Sequence, residues 1–179
     1  MASAVQIPVS EYLQTTYRPD REYVDGEVLE RNVGKWEHAR LQALLAQWLG
    51  MHESIWNLLV STEQRTRVTE TRVRVPDLVA VRPGPHPDVL TDPPLLVIEI
   101  LSPDDTYTAL EERCQDYLTM GVETVWVIDP RTRTGRICRA SGWVSAQRLE
   151  VPGTPIHVEL PMLFGRLESP STPDSPQSA

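Results

Sequence analysis

Lysine is almost missing from this chain. Sixteen of its seventeen basic residues are arginine, and Lys35 is the single exception. A mechanism that relies on a lysine in any later motif has none to use. Cysteine is scarce as well. Cys114 and Cys138 lie far apart without metal-ligand spacing, so they read as buried free thiols rather than a disulfide, which fits a reducing cytoplasm. No apolar run approaches the roughly 18 residues that span a bilayer, so no membrane partner is expected. Met1 to Ser10 lacks a basic region followed by an apolar stretch, and no signal peptide is expected. There is no glycine-rich phosphate loop. His52, His86 and His157 have no paired zinc spacing, and Ser102 and Ser141 lack the context of a nucleophile elbow.

What remains is an ordinary soluble composition. The 179 residues are 40% hydrophobic and 23% charged, enough for one domain with a real core. That domain is expected over residues 1–168, with 169–179, rich in Ser, Pro, Asp and Gln, as a disordered tail. The net charge of −8 argues against a simple nucleic-acid coat, because phosphate binding needs cationic surface. It leaves room for a nuclease, whose acidic site gathers cations while basic residues cluster elsewhere. Arg65, Arg67, Arg72 and Arg74 form one local cluster, read either as such a patch or as a solvated hairpin face.

The pattern along the chain predicts a short helix over Ser10–Thr16 and a hairpin turning at Asp25-Gly26, with arms Glu22–Val24 and Glu27–Glu30. Leu41, Leu44, Leu45, Trp48 and Leu49 form one apolar stripe, so Glu37–Leu49 reads as a helix stopped by Gly50. Strands are expected at Trp56–Thr62, Arg72–Val81 and Leu95–Leu101, the second with an irregularity at Pro76. Between the last two, Pro83–Pro94 is a loop, six of its twelve residues being glycine or proline. Ser102-Pro103-Asp104-Asp105 offers caps to a second helix, Tyr107–Met120, with Leu110, Cys114, Tyr117 and Leu118 inward and Gly121 at its end. Strands then follow at Val122–Asp129, Gly135–Arg139, Trp143–Leu149 and Ile156–Leu160. The core order, helix, three strands, helix, strand, implies an α/β fold. Its mixed sheet is flanked by helices, and a crossover joins the third and fourth strands.

Two strands each carry one acid inside an apolar run. These are Asp77 in Val75–Val81 and Glu99 in Leu95–Leu101. A buried strand normally excludes carboxylates, since an isolated buried charge costs several kcal/mol or more. Two such exceptions on neighbouring strands suggest a shared purpose. Asp77, Glu99 and the backbone carbonyl of Ile100 could hold Mg²⁺ or Mn²⁺, leaving positions for water and phosphate oxygens. Such an ion would activate water and stabilise the charge that develops during phosphodiester hydrolysis.

The ordered set Tyr23-Val24-Asp25-Gly26-Glu27, His38 at the start of a helix, Pro76-Asp77, Ile98-Glu99-Ile100-Leu101-Ser102-Pro103, Tyr117…Gly121-Val122 and Val125–Pro130 resembles the Uma2 family. That family is a restriction-endonuclease-like branch of the PD-(D/E)XK nucleases, and the resemblance runs from about Glu11 to Leu149. It implies a nuclease-like αβββαβ core, with β-hairpins added at either end of the chain. It also implies that Asp77 and Glu99 are the motif acids and that Glu27 is an acid able to complete the metal site. His38 faces either the site or the core. The superfamily's lysine would fall two residues after Glu99, where Leu101 stands. In this branch the lysine often lies on the second helix, four residues before the tyrosine, and that position is Arg113. Arginine can fix a phosphate or an attacking water but stays protonated, so it cannot act as a base. The expected activity is Mg²⁺- or Mn²⁺-dependent hydrolysis of DNA, in a possible homodimer built on exposed tryptophans, Trp36 and Trp143 being also able to stack on bases. The alternative is a catalytically impaired binding or interaction module on the same scaffold.

Overall fold

A computed structural model describes residues 6–32 and 34–168. The stretch 169–179, expected to be a disordered tail, lies outside the described residues. In chain order the elements are α1 (Val9–Gln14), β1 (Arg21–Val24), β2 (Glu27–Glu30), α2 (Trp36–Trp56), β3 (Leu59–Thr62), β4 (Thr66–Thr69), β5 (Arg72–Arg74), β6 (Leu78–Val81) and β7 (Leu96–Ile100). Then come α3 (Tyr107–Met120), β8 (Val125–Asp129), β9 (Thr134–Arg139), β10 (Gly142–Ser145), β11 (Arg148–Glu150), β12 (His157–Glu159) and α4 (Leu160–Glu168).

A six-stranded mixed sheet runs β10-β9-β8-β7-β6-β3, beside a four-stranded sheet β2-β1-β5-β4 and a ribbon β11-β12. Among the described strands β7 and β8 are the one parallel pair, and α3 is the crossover that such a pair requires. The α2-β3-β6-β7-α3-β8 set is the αβββαβ core, with β4 and β5 diverted into the smaller sheet.

Alternation along the strands sorts the side chains. On β7, Leu96, Ile98 and Ile100 join Leu41, Leu44, Leu45 and Leu49 of α2 on one face of the large sheet. Val97 joins Leu110, Cys114 and Tyr117 of α3 on the other. The period of two therefore turns Glu99 toward α3. Cys114 and Cys138 are both buried in that second cluster as free thiols.

The differences from the sequence expectation have local causes. The helix expected to stop at Gly50 continues to Trp56, because its inner face goes on with buried Trp56, and Asn57 ends it in the left-handed region at φ 52°. The segment Arg72–Val81 is two strands in different sheets, β5 and β6, parted at Pro76, whose missing N–H cannot continue a ladder. Trp143–Leu149 likewise divides between β10, paired with β9, and β11, paired with β12. The α3 cap is Thr106, whose hydroxyl accepts the Ala109 N–H at 3.2 Å, which leaves Asp105 free for other work. Among the described residues no helix is long and apolar enough to cross a membrane.

Candidate functional site

The antiparallel register of β6 and β7 sets Leu78 opposite Ile98. One step further places Asp77 opposite Glu99, where cross-strand Cβ atoms are about 5 Å apart. Asp77 is 3% exposed and Glu99 5%. Both line a cleft of about 280 Å³ between the two main sheets and α3. The N–H groups of Val97 and Leu101 go to the β8 side of β7. That of Ile100 therefore faces β6, which has already ended. The Asp77 carboxylate takes its place, accepting the Ile100 N–H on Oδ2 at 2.7 Å. Ile100 thus reaches the site through its N–H.

The same carboxylate meets a guanidinium and an imidazole. Arg31 donates from Nη2 to Oδ1 at 3.1 Å, and His38 Nε2 lies 3.3 Å from Oδ2. Burial disfavours a charged His38 ring. The hydrogen bond and charge of Asp77 outweigh that effect, and the ring titrates above its usual value. Glu99 accepts the Tyr117 hydroxyl on Oε1 at 2.7 Å and has Arg113 Nε 3.2 Å from Oε2. Burial pushes the Glu99 carboxyl up to about 7, against the pull of Arg113 and with a further push from the Asp77 charge. Arg113 is held in turn by Asp105, whose Oδ1 accepts at 3.2 and 3.3 Å while its Oδ2 accepts the Ser102 N–H at 2.8 Å.

Asp77, Glu99, Ile100, His38 and Arg113 therefore meet in one cleft. Glu27 does not. It is exposed on β2 opposite Val24, one same-face step of about 7 Å from the Leu29–Glu22 rung that borders the cleft. Glu22 is the hairpin acid that reaches the cleft wall, bound to Arg74 Nη1 at 2.7 Å and the Val75 N–H at 3.2 Å. Its signal in the sequence is its place beside Tyr23, which is buried on the opposite face. Arg31 and Asp105 had no local signal, since their partners lie 46 residues away for Asp77 and 8 for Arg113. The arginine cluster is spent on protein partners. Arg65 pairs with Asp20, Arg72 with Asp25 and Asp116, and Arg74 with Glu22 and Asp116. Arg67 donates to the Glu70 carbonyl.

Among the described residues no group of three or more His, Cys, Asp or Glu side chains is placed to hold a metal ion. Each strand acid already carries a guanidinium, and burial raises the Glu99 carboxyl, whereas a metal ligand must be ionised. In this arrangement the residues do not fit a resident Mg²⁺ or Mn²⁺.

Fold and cleft together define a restriction-endonuclease-like α/β protein. The chain belongs to the Uma2 family, described as "Putative restriction endonuclease", whose model matches residues 9–168. It is similar over 90% of its length to a crystal structure of a "putative nuclease belonging to DUF820" from Anabaena variabilis. The TM-score is 0.78 at 22% identity, and 99% of that chain is covered. The DrdV–DNA complex aligns with 78% of this chain and 12% of its own at 14% identity, with a TM-score of 0.42. No curated protein matches the sequence.

Proposed function

We propose that this protein is a nuclease-fold module that binds a DNA strand at the Arg31–Asp77–Glu99–Arg113 cleft without cutting it. The observation that carries this reading is the guanidinium seated on each motif acid, Arg31 on Asp77 and Arg113 on Glu99. Arg31 and Arg113 both line the cleft, and a planar guanidinium suits a phosphate. Arg113 cannot take a proton from water, so it does not replace a lysine base. Fluorescence anisotropy with a labelled DNA strand in EDTA, calorimetric titration with Mn²⁺, and plasmid incubation with Mn²⁺ test the proposal together. The expected results are binding without metal, no heat of metal binding at millimolar concentration, and no nicking. Mn²⁺-dependent nicking that disappears in Asp77→Ala would overturn it.

One observation favours hydrolysis as a second reading. The cleft is lined by seven carboxylates against three arginines and His38, an excess that attracts cations. A Mg²⁺- or Mn²⁺-dependent endodeoxyribonuclease, with a second copy for the second strand, would need Arg31 and Arg113 to leave their acids as the ion enters. The nicking assay separates the two readings.

A further inference from the structure

Beside the cleft, across His38, Ser102 and Asp105, lies a second cavity of about 200 Å³. It opens outside the carboxyl ends of the parallel pair β7 and β8, the place where ligands gather in open α/β sheets. Its walls are Trp36 at the start of α2, Leu101 and Pro103 after β7, and Asp129 and Pro130 at the end of β8. Trp36 is 77% exposed. An indole that takes no part in the core, set at the mouth of a largely apolar cavity, offers a stacking surface. A cavity of this size takes a single ring system and is below the usual 300 Å³ floor for a whole cofactor.

The polar groups around it narrow the ligand. Asp129 spends Oδ1 on the N–H groups of Arg131 and Thr132 at 2.9 and 3.3 Å, which leaves Oδ2 without a partner among the described residues. An acceptor of this kind selects a base with an exocyclic amino group over thymine. Lys35 and Arg131 flank the cavity beside Glu37, and among the described residues neither cation is in an ion pair, whereas Asp105 is already bound to Arg113. They supply cationic charge for the phosphates on either side of a bound base, outside the acid-rich cleft.

We infer that this cavity takes one unstacked, amino-bearing base of the nucleic-acid strand whose backbone crosses the neighbouring cleft, with Trp36 stacking on the base and Asp129 accepting from its amino group. The inference rests on the DNA-binding reading above. It turns that reading from a backbone contact into recognition of single-stranded or locally unpaired DNA.

The test is anisotropy with three labelled twelve-nucleotide strands, oligo-dC, oligo-dT and an abasic backbone, against wild type, Trp36→Ala and Trp36→Phe. Trp36 is exposed, so its variants fold. Wild type is expected to bind oligo-dC best. Trp36→Ala should weaken that binding about five- to a hundredfold, the range for loss of one base–aromatic stack, and Trp36→Phe should restore most of it. The abasic strand should bind weakly and equally to wild type and Trp36→Ala. Equal binding of oligo-dC to wild type and Trp36→Ala would overturn the base pocket. Equal binding of abasic and oligo-dC strands by wild type would do so too, while leaving the cleft reading intact. Failure of wild type to bind any of the three strands would overturn both.

Discussion

Two neighbouring regions are built from the same ingredients, buried carboxylates and arginines, and behave differently. In the first, Arg74 is gripped by Glu22 Oε2 at 2.7 Å and by Asp116 Oδ2 at 2.7 Å from both Nε and Nη2. Asp116 also receives Arg72 at 3.0 Å, and Glu22 also accepts the Val75 N–H. Every charge there has several close partners, and the network ties β1 and β5 to α3. In the second, the cleft, Arg113 meets Glu99 through an Nε that makes no well-aligned hydrogen bond, and burial holds the Glu99 carboxyl above its ordinary value. A buried ion group of the first kind fixes a geometry. One of the second kind is held loosely enough to exchange partners with a ligand. Shared burial and shared residue types do not separate structure from site. The completeness of the hydrogen bonding does.

The sharpest way to break the comparison is to delete one member of each region. Glu22→Ala leaves Arg74 buried against a single acid and frees the Val75 N–H. It should cost about 3–5 kcal/mol in urea unfolding, the usual penalty for stranding a buried charge. Glu99→Gln keeps an acceptor for Tyr117 and should cost well under that. A Glu22→Ala protein as stable as wild type would mean that the network is no more structural than the cleft.

The next prediction depends on pH. The Glu99 carboxyl titrates near 7 in the folded protein and at the ordinary 4.5 when unfolded. The native form therefore binds more protons between those values, and stability falls as pH rises through that window. His38 has the same sign. Its folded value is raised, so its contribution is present below the unfolded value and is lost as pH rises through the folded one. Removing the Glu99 charge should erase its part. Glu99→Gln should gain on wild type between pH 5 and pH 8, by at most about 3 kcal/mol. A constant difference across that range would show that Glu99 is an ordinary ionised acid and that the cleft resembles the network after all.

Binding should follow the same titration. As pH falls from 8 to 6, Glu99 loses negative charge and His38 gains positive charge, so the cleft becomes a better host for phosphate. Affinity for a DNA strand in EDTA should rise by about tenfold at moderate salt, a change of roughly 1.4 kcal/mol. Binding that is flat with pH would place the DNA contact away from Glu99 and His38.

The parts of this that were legible in the sequence share a physical character. Helix Tyr107–Met120 was announced by the cap-rich Ser102–Asp105 stretch and by Gly121 in its own local pattern, and it is observed over those residues, with Thr106 rather than one of those four as its cap. The meeting of Asp77 with Glu99 in one cleft followed from two acids in apolar runs on adjacent strands. Arg31 and Asp105 were not legible, because they matter through partners that only the fold supplies. The passage of β5 into β6 was hidden because Pro76 marks an irregularity without saying that the chain changes sheet. Helix α2 ran past Gly50 because tertiary burial of Trp56 overrides one unfavourable glycine. Glu27 was carried over from a resemblance, and alternation on the hairpin would have favoured Glu22 as the acid backed by a buried neighbour.

The smallest effect separates cleft arginines from hairpin arginines. If phosphate sits on the cleft, Arg31→Ala removes one counterion-releasing contact and should lower the slope of log affinity against log salt by about 0.7–1. Arg31 is not part of the Glu22–Arg74–Asp116 network, so the fold should survive its loss. Arg67, bonded to the Glu70 carbonyl on the small sheet, is the matched control, and Arg67→Ala should leave the slope unchanged. The reverse pattern, with the slope falling for Arg67 and not for Arg31, would move the DNA to the β4–β5 hairpin. The guanidinium on Asp77 would then serve only to balance a buried acid.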